Sequence, residues 1–239
     1  MADLRQPDLF ADVRRRLQHD GLVIVDGLTT PATIAQFADL IMHRSRSDGP
    51  YGLLEVRATG RHLVQADSVD RTRAPMRPHT AGASLKHPPR LVLVVCARPA
   101  ESGGDTLLVD GQDLLSAFAR QWPGDLGPLT RQSTMRTAPR VSSPLFRISR
   151  AGRCVLRLPA GPGVSWSVAA RRRLVKLHVA TLHTLRRLSL EPGQGYLLDN
   201  WRWAHGRSDF TGERLLYRAE GSPTFRMSAG GFRTWVEAP

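Results

Sequence analysis

Lysine is nearly missing from this chain. Of 34 basic residues only Lys86 and Lys176 are lysine, and all others are arginine. Acidic residues are also few, 21 in all, so the formal net charge is +13. A surface that tracks nucleic-acid phosphates needs its cations clustered. Here the only tight runs are Arg14-Arg15-Arg16 and Arg171-Arg172-Arg173, both in helix-like segments where a solvated face explains them. Nucleic acid is therefore not expected as a partner, and the arginine bias reads as GC-rich coding. A basic face still suits the steering of an anionic substrate or an acidic partner. Cysteine is scarce too. Cys96 and Cys154 form no Cys-x-x-Cys pair, and they read as buried free thiols in a reducing, cytoplasmic compartment. No apolar run approaches bilayer length and the N-terminus has no apolar h-region, which argues against membrane insertion and secretion. Low-complexity tracts and internal repeats are absent, and 239 residues suit one domain over 1–239.

What is present has two textures. Asp8 to His19 carries Leu9, Phe10, Val13 and Leu17 at helical spacing, and Gly21 ends it. Leu22 to Val25 reads as a buried strand. Thr30-Pro31 is a helix start before the amphipathic Ala32 to His43. From Tyr51 onward short strands alternate with Gly and Pro: Leu63-Val64, Arg90 to Ala97, Thr106 to Val109, Cys154 to Leu158, Gly195 to Leu198 and Leu215 to Ala219. That spacing predicts an antiparallel sandwich or barrel. Two helices interrupt it, Asp113 to Gln121 and a long one over Ala169 to Leu188. Ser45 to Gly52 and Ser133 to Phe146 read as loops, either of which can cover a pocket.

The residues with chemical potential fall in four places. They are Met76-Arg-Pro-His79-Thr80-Ala81, then Glu101-Ser-Gly103-Gly104-Asp105-Thr106, then Leu198-Asp199-Asn200-Trp-Arg-Trp-Ala-His205-Gly-Arg207, and finally Arg214 with Arg218. A lone histidine is usually a surface or satisfied core group. Several elements in order are a much stronger signal. If Arg214 to Arg218 is a strand, alternation puts Arg214, Leu216 and Arg218 on one face. Both cations then point into the same interior, where a guanidinium gives a permanently charged, bidentate clamp for a carboxylate.

In the His-Thr-x opening, the Pro88-Pro89 and Gly-Gly-Asp-Thr elements, and the Asp-Asn-x₄-His…Arg-x₃-Arg ending, the chain resembles the TauD/TfdA-like family of Fe(II)/2-oxoglutarate oxygenases from about Gly21 to Arg218. The resemblance implies an α+β, mainly β fold: a distorted double-stranded β-helix, jelly-roll and cupin-like, with flanking helices. It implies iron ligation by His79 and His205. Thr106 and Arg214 match the residues that hold 2-oxoglutarate, and Arg218 matches an arginine that faces an anionic substrate; Arg207 is a further substrate-binding candidate. The expected substrate is a small natural product or amino acid, anionic or carrier-bound. Trp166, Trp201, Trp203 and Phe146 are candidates to line its pocket. Oligomeric state is not legible.

The chain departs from the family at Ala81, where the 2-His-1-carboxylate set needs Asp or Glu. Three readings follow. Chloride can take the vacant position, as in related halogenases. Another carboxylate among Asp67, Asp70 and Glu101, or water, can replace the ligand and leave hydroxylation-type chemistry. Or iron is lost, either in a repurposed protein that binds or does non-redox chemistry, or in an oxygenase inactivated by an Asp-to-Ala change. Imidazoles more than about 6 Å apart would favour the last reading, since iron–nitrogen bonds of roughly 2 Å cannot bridge that gap.

Overall fold

The computed structural model describes residues 7–45, 47–57, 72–137, 141–161, 163–228 and 231–235. The Leu91–Arg98 strand lies at its centre. Its apolar run is continuous because both faces are covered. Leu91, Leu93 and Val95 pack outward against helices Pro7–His19 and Pro31–Ile41, while Val92, Val94 and Cys96 point the other way, into a second cluster with Leu108, Tyr196, Leu198 and Leu216. Around this strand runs a six-stranded antiparallel sheet. Leu22–Val25, Gly195–Asp199, Leu91–Arg98, Leu215–Pro223 and Met42–Arg44 follow one another, and Leu54–Arg57 also pairs with Leu215–Pro223.

A four-stranded antiparallel sheet faces it, in the order Leu185–Leu188, Thr106–Asp110, Trp203–Arg207, Met76–His79. Val109 and Ala204 turn away from the larger sheet to a third cluster built on helices Gly111–Gln121 and Leu174–His183. Two antiparallel sheets with helices outside form the jelly-roll arrangement expected from the resemblance.

Several boundaries differ from the sequence expectations, each for a tertiary reason. The helix begun by Thr30, whose side chain accepts from the Thr33 N–H in a capping box, ends at Ile41 because Met42–Arg44 pairs with Gly221–Pro223. The expected long helix over 169–188 is three elements: Val168–Arg171, Leu174–His183 and the strand Leu185–Leu188, which completes the edge of the smaller sheet. The expected loop 133–146 contains the paired strands Met135–Thr137 and Val141–Ser143. Leu63-Val64 lies outside the described residues. No helix among the described residues is long and apolar enough to cross a membrane.

One buried ion pair locks the ends of the central strands. Arg90 donates to both Asp199 carboxylate oxygens, at 2.7 and 2.8 Å, and to the Ser228 carbonyl at 2.9 Å, while its guanidinium lies 4.1 Å from the Trp201 ring centre. Arg90→Leu leaves the Asp199 carboxylate buried without its partner. The expected cost is about 3–5 kcal/mol, read as a lower denaturation midpoint in urea with an unchanged slope.

Candidate functional site

His79 and His205 are direct cross-strand neighbours. Their strands pair with His205 opposite His79, and the imidazole centres lie 4.8 Å apart at 44°. The ladder then slips, so that Arg207 faces Met76. Pro78 fits this irregular stretch because it has no N–H to contribute. Gly206 is what allows the approach, since a Cβ there would lie 2.4 Å from the Met76 carbonyl oxygen and 2.8 Å from the Pro78 nitrogen.

The two rings differ in surroundings. Nδ1 of His79 sits 3.1 Å from the Arg77 carbonyl oxygen. A carbonyl only accepts, so Nδ1 carries the proton and Nε2 the lone pair. His205 is 2% exposed, and neither ring nitrogen has a hydrogen-bond partner. Burial, then the adjacent His79 and the Arg218 cation, hold its imidazole well below the usual histidine range. A neutral buried ring with both nitrogens unanswered is costly unless something binds it.

The interior cavity beside His205 draws on both sheets. Val94, Tyr196, Leu216 and Arg218 come from the larger sheet, Thr106, Gly206 and Arg207 from the smaller, and Arg214 from the residue just before Leu215–Pro223. Arg214, Leu216 and Arg218 thus share one inward face, as strand alternation predicts, and both cations are 8% exposed. Arg214 donates to the Gly104 carbonyl at 3.0 Å. Gly104 has φ +77°, and a Cβ there would lie 3.2 Å from Arg214 Nε, so glycine gives both the turn and the room for the guanidinium. Arg218 reaches Glu220 at 2.5 Å. Thr106 is buried opposite Arg207 in the ladder.

Other residues named from the sequence fall elsewhere. Arg207 borders the cavity, and its guanidinium donates to the Thr72, Ala74 and Ser208 carbonyls and lies 4.7 Å from the Phe210 ring centre. Glu101 is exposed beside Gly212, at the edge of the short Ser102–Gly103 and Phe210–Thr211 ribbon. No group of three His, Cys, Asp or Glu able to hold a metal occurs among the described residues, so Glu101 does not replace the missing ligand. Asp67 and Asp70 lie outside the described residues. Phe146 and Trp166 pack in or against the helix-side core, and Trp203 is buried with its indole N–H on the Asp20 carbonyl. Trp201 and Trp203 do not share a strand face, because 200–202 is a turn.

Sequence reasoning passed over Asn200. Its amide oxygen accepts from the Ala81 N–H at 2.7 Å, and its NH₂ donates to the Ala81 and Pro89 carbonyls at 2.9 and 2.8 Å. An Asp-Asn pair ahead of a turn was the available signal, read only as a motif marker.

A family profile described as the taurine catabolism dioxygenase TauD, TfdA family matches residues 1–219. The chain belongs to this family. Trimethyllysine dioxygenase of the yeast Meyerozyma guilliermondii is 25% identical over 165 residues, 58% of this chain and 40% of that protein, so the chain aligns with well under half of that relative's length. Among solved structures, an asparagine oxygenase in complex with Fe(II), 2S,3S-3-hydroxyasparagine and succinate superposes with a TM-score of 0.71 at 17% identity, covering 90% of this chain and 79% of that one. The non-haem iron oxygenase OrfP in complex with iron and α-ketoglutaric acid gives 0.67 at 18% identity, covering 90% and 80%. These likenesses bear out the double-stranded β-helix fold.

The burial of His205 has a consequence for acid stability. Its folded-state affinity for protons is depressed, so the unfolded chain binds the proton more readily. The stability held above about pH 6.5 is lost as pH falls toward the folded-state value. His205→Gln should flatten the acid limb of the stability profile of the metal-free protein, measured by urea denaturation at a series of pH values. Identical limbs in both proteins would contradict the assignment.

Proposed function

We propose that this chain is an Fe(II)- and 2-oxoglutarate-dependent oxidoreductase that modifies an aliphatic carbon of a small, amino-acid-like or natural-product substrate. The observation that carries the reading is the pair of imidazoles 4.8 Å apart, one of them buried with both nitrogens unpartnered, beside a cavity walled by Arg214, Thr106 and Arg218. His79 through Nε2 and His205 would hold the iron. When bound, the metal supplies the redox chemistry that couples O₂ and the 2-oxo acid to C–H oxidation.

The protein's own groups do the rest. Arg214, set by Gly104, offers a fixed charge for the distal carboxylate of the 2-oxo acid, and Thr106 adds a hydroxyl. Arg218 offers a second cation toward an anionic group on the substrate. The apolar wall of Val94, Tyr196 and Leu216 keeps water from the reacting carbon. The cavity is about 30 Å³, roughly one water molecule's share of liquid volume. Arg218 also borders the cleft lined by Ser45, Ser47 and Glu55.

Hydroxylation-type chemistry is the reading supported by the fold neighbours, one of which holds hydroxyasparagine. A second reading, halogenation, rests on Ala81: a buried methyl stands where the carboxylate ligand belongs, and chloride can fill that coordination position. Two buried free cysteines suit a reducing, cytoplasmic setting.

Anaerobic addition of Fe(II) and 2-oxoglutarate should produce the visible charge-transfer band of a chelated iron complex, and O₂ should then yield succinate. Arg214→Gln should raise the 2-oxoglutarate concentration needed for half of the band by about tenfold or more, the loss of a charged hydrogen bond. Absence of both the band and succinate would defeat the proposal. Product analysis with chloride present separates hydroxylation from halogenation.

A further inference from the structure

A basic cleft shares no lining residue with the cavity beside the histidine pair. It measures about 630 Å³. Lys86, His87, Arg147 and Arg157 line it, and no aspartate or glutamate does. Several buried or half-buried arginines elsewhere are matched with acids: Arg44 with Asp39, Arg90 with Asp199, Arg173 with Asp125, Arg202 with Asp110. In the cleft no described carboxylate pairs with Arg147 or Arg157, and the one hydrogen bond of the Arg157 guanidinium is a long one, 3.4 Å, to the Lys86 carbonyl. Burial first, and the neighbouring Arg147 second, make it harder for Arg157 to hold its proton than for an ordinary arginine.

A second observation comes from the cleft wall. Ser143 is 6% exposed and its hydroxyl has no hydrogen-bond partner, although the Thr80 hydroxyl and the Gln132 amide in the same wall are satisfied by backbone groups. Val155, Leu156 and Trp201 also line it.

We propose that this cleft is a second ligand site that binds a small organic phosphate, with Arg147, Arg157 and Lys86 on the phosphate, Ser143 donating its hydroxyl, and the apolar wall receiving the organic part. Four basic side chains with no acid among them are neutralised better by a dianion than by a single carboxylate. Guanidinium groups also match phosphate in geometry. The site needs neither iron nor the histidines. Thr80 and Asn200 lie in its wall, so a ligand there touches the middle residue of the His79–Ala81 segment and the amide that holds it.

Isothermal titration of the full chain without added metal, at low salt, tests this with three probes: phenyl phosphate, benzoate and inorganic phosphate. The expected result is saturable one-to-one binding of phenyl phosphate, weaker binding of benzoate, which has the same ring with one charge, and weaker binding of inorganic phosphate, which lacks the ring. Arg147→Gln and Arg157→Gln should each weaken phenyl phosphate about tenfold or more, while Arg214→Gln leaves it unchanged. Lys86→Gln alters only an exposed side chain, so it gives a reading even if the Arg157 variant misfolds. Absence of saturable binding at millimolar probe overturns the proposal, as does equal affinity in the cleft variants or loss in Arg214→Gln. Inorganic phosphate binding as tightly as phenyl phosphate removes the organic part.

Discussion

The candidate site depends on how one amide, that of Asn200, holds two separate pieces of chain. One piece is the end of the His79 strand, gripped through both the N–H and the carbonyl of Ala81; the other is the Pro89 carbonyl at the approach to the central strand. Asn200 itself sits in the turn that reverses the chain from Gly195–Asp199, in the larger sheet, to Trp203–Arg207, in the smaller. The same side chain therefore sets both histidine strands. Its three contacts satisfy buried backbone groups that no regular ladder reaches, and a buried amide so placed holds position more firmly than apolar packing alone. The ion pairs Arg90–Asp199 and Arg202–Asp110 brace the turn on either side, and the Arg202 bond to the His19 carbonyl ties it to the first helix.

Electrostatics explains why so basic a chain folds with its cations apart. Most acids are used as local partners for arginine, at the surface and in the two braces. Two pairs of cations stand at cavities: Arg214 with Arg218, the latter paired with Glu220, and Arg147 with Arg157 in the cleft. Repulsion at both opposes folding slightly and favours anions when they arrive.

Much of the frame was legible in sequence, and the failures share a cause. The continuous apolar run at Leu91–Arg98, the capped helix after Thr30 and the shared face of Arg214, Leu216 and Arg218 follow from local pattern, and the structure has all three. The strand Leu185–Leu188 was hidden because Leu-Arg-Arg-Leu fits a helix face as well as a strand edge. Only pairing with Thr106–Asp110 decides between them, and that partner lies far off in sequence. The aromatic pocket of Trp166, Trp203 and Phe146 failed likewise, since side chains of that size fill cores by default. Asn200 and the cleft around Arg157 were not legible at all. Each depends on residues brought together from several segments, and neither leaves a periodic trace.

Ala81 remains the point where sequence and structure press hardest on each other. Its methyl is buried in the inter-sheet cluster, and its backbone is held by the best-satisfied amide in the region. The other groups of the candidate site lie around it: a neutral buried His205, a His79 whose tautomer is set by a carbonyl, and a glycine that seats Arg214. With two neutral ligands and no carboxylate, a divalent metal at this place would gain its negative charge from outside the protein, from the 2-oxo acid and whatever anion joins it. Metal retention would then be tied to cosubstrate far more tightly than in a site that carries its own carboxylate. A metal site so built would draw its charge balance from its ligands rather than from the chain.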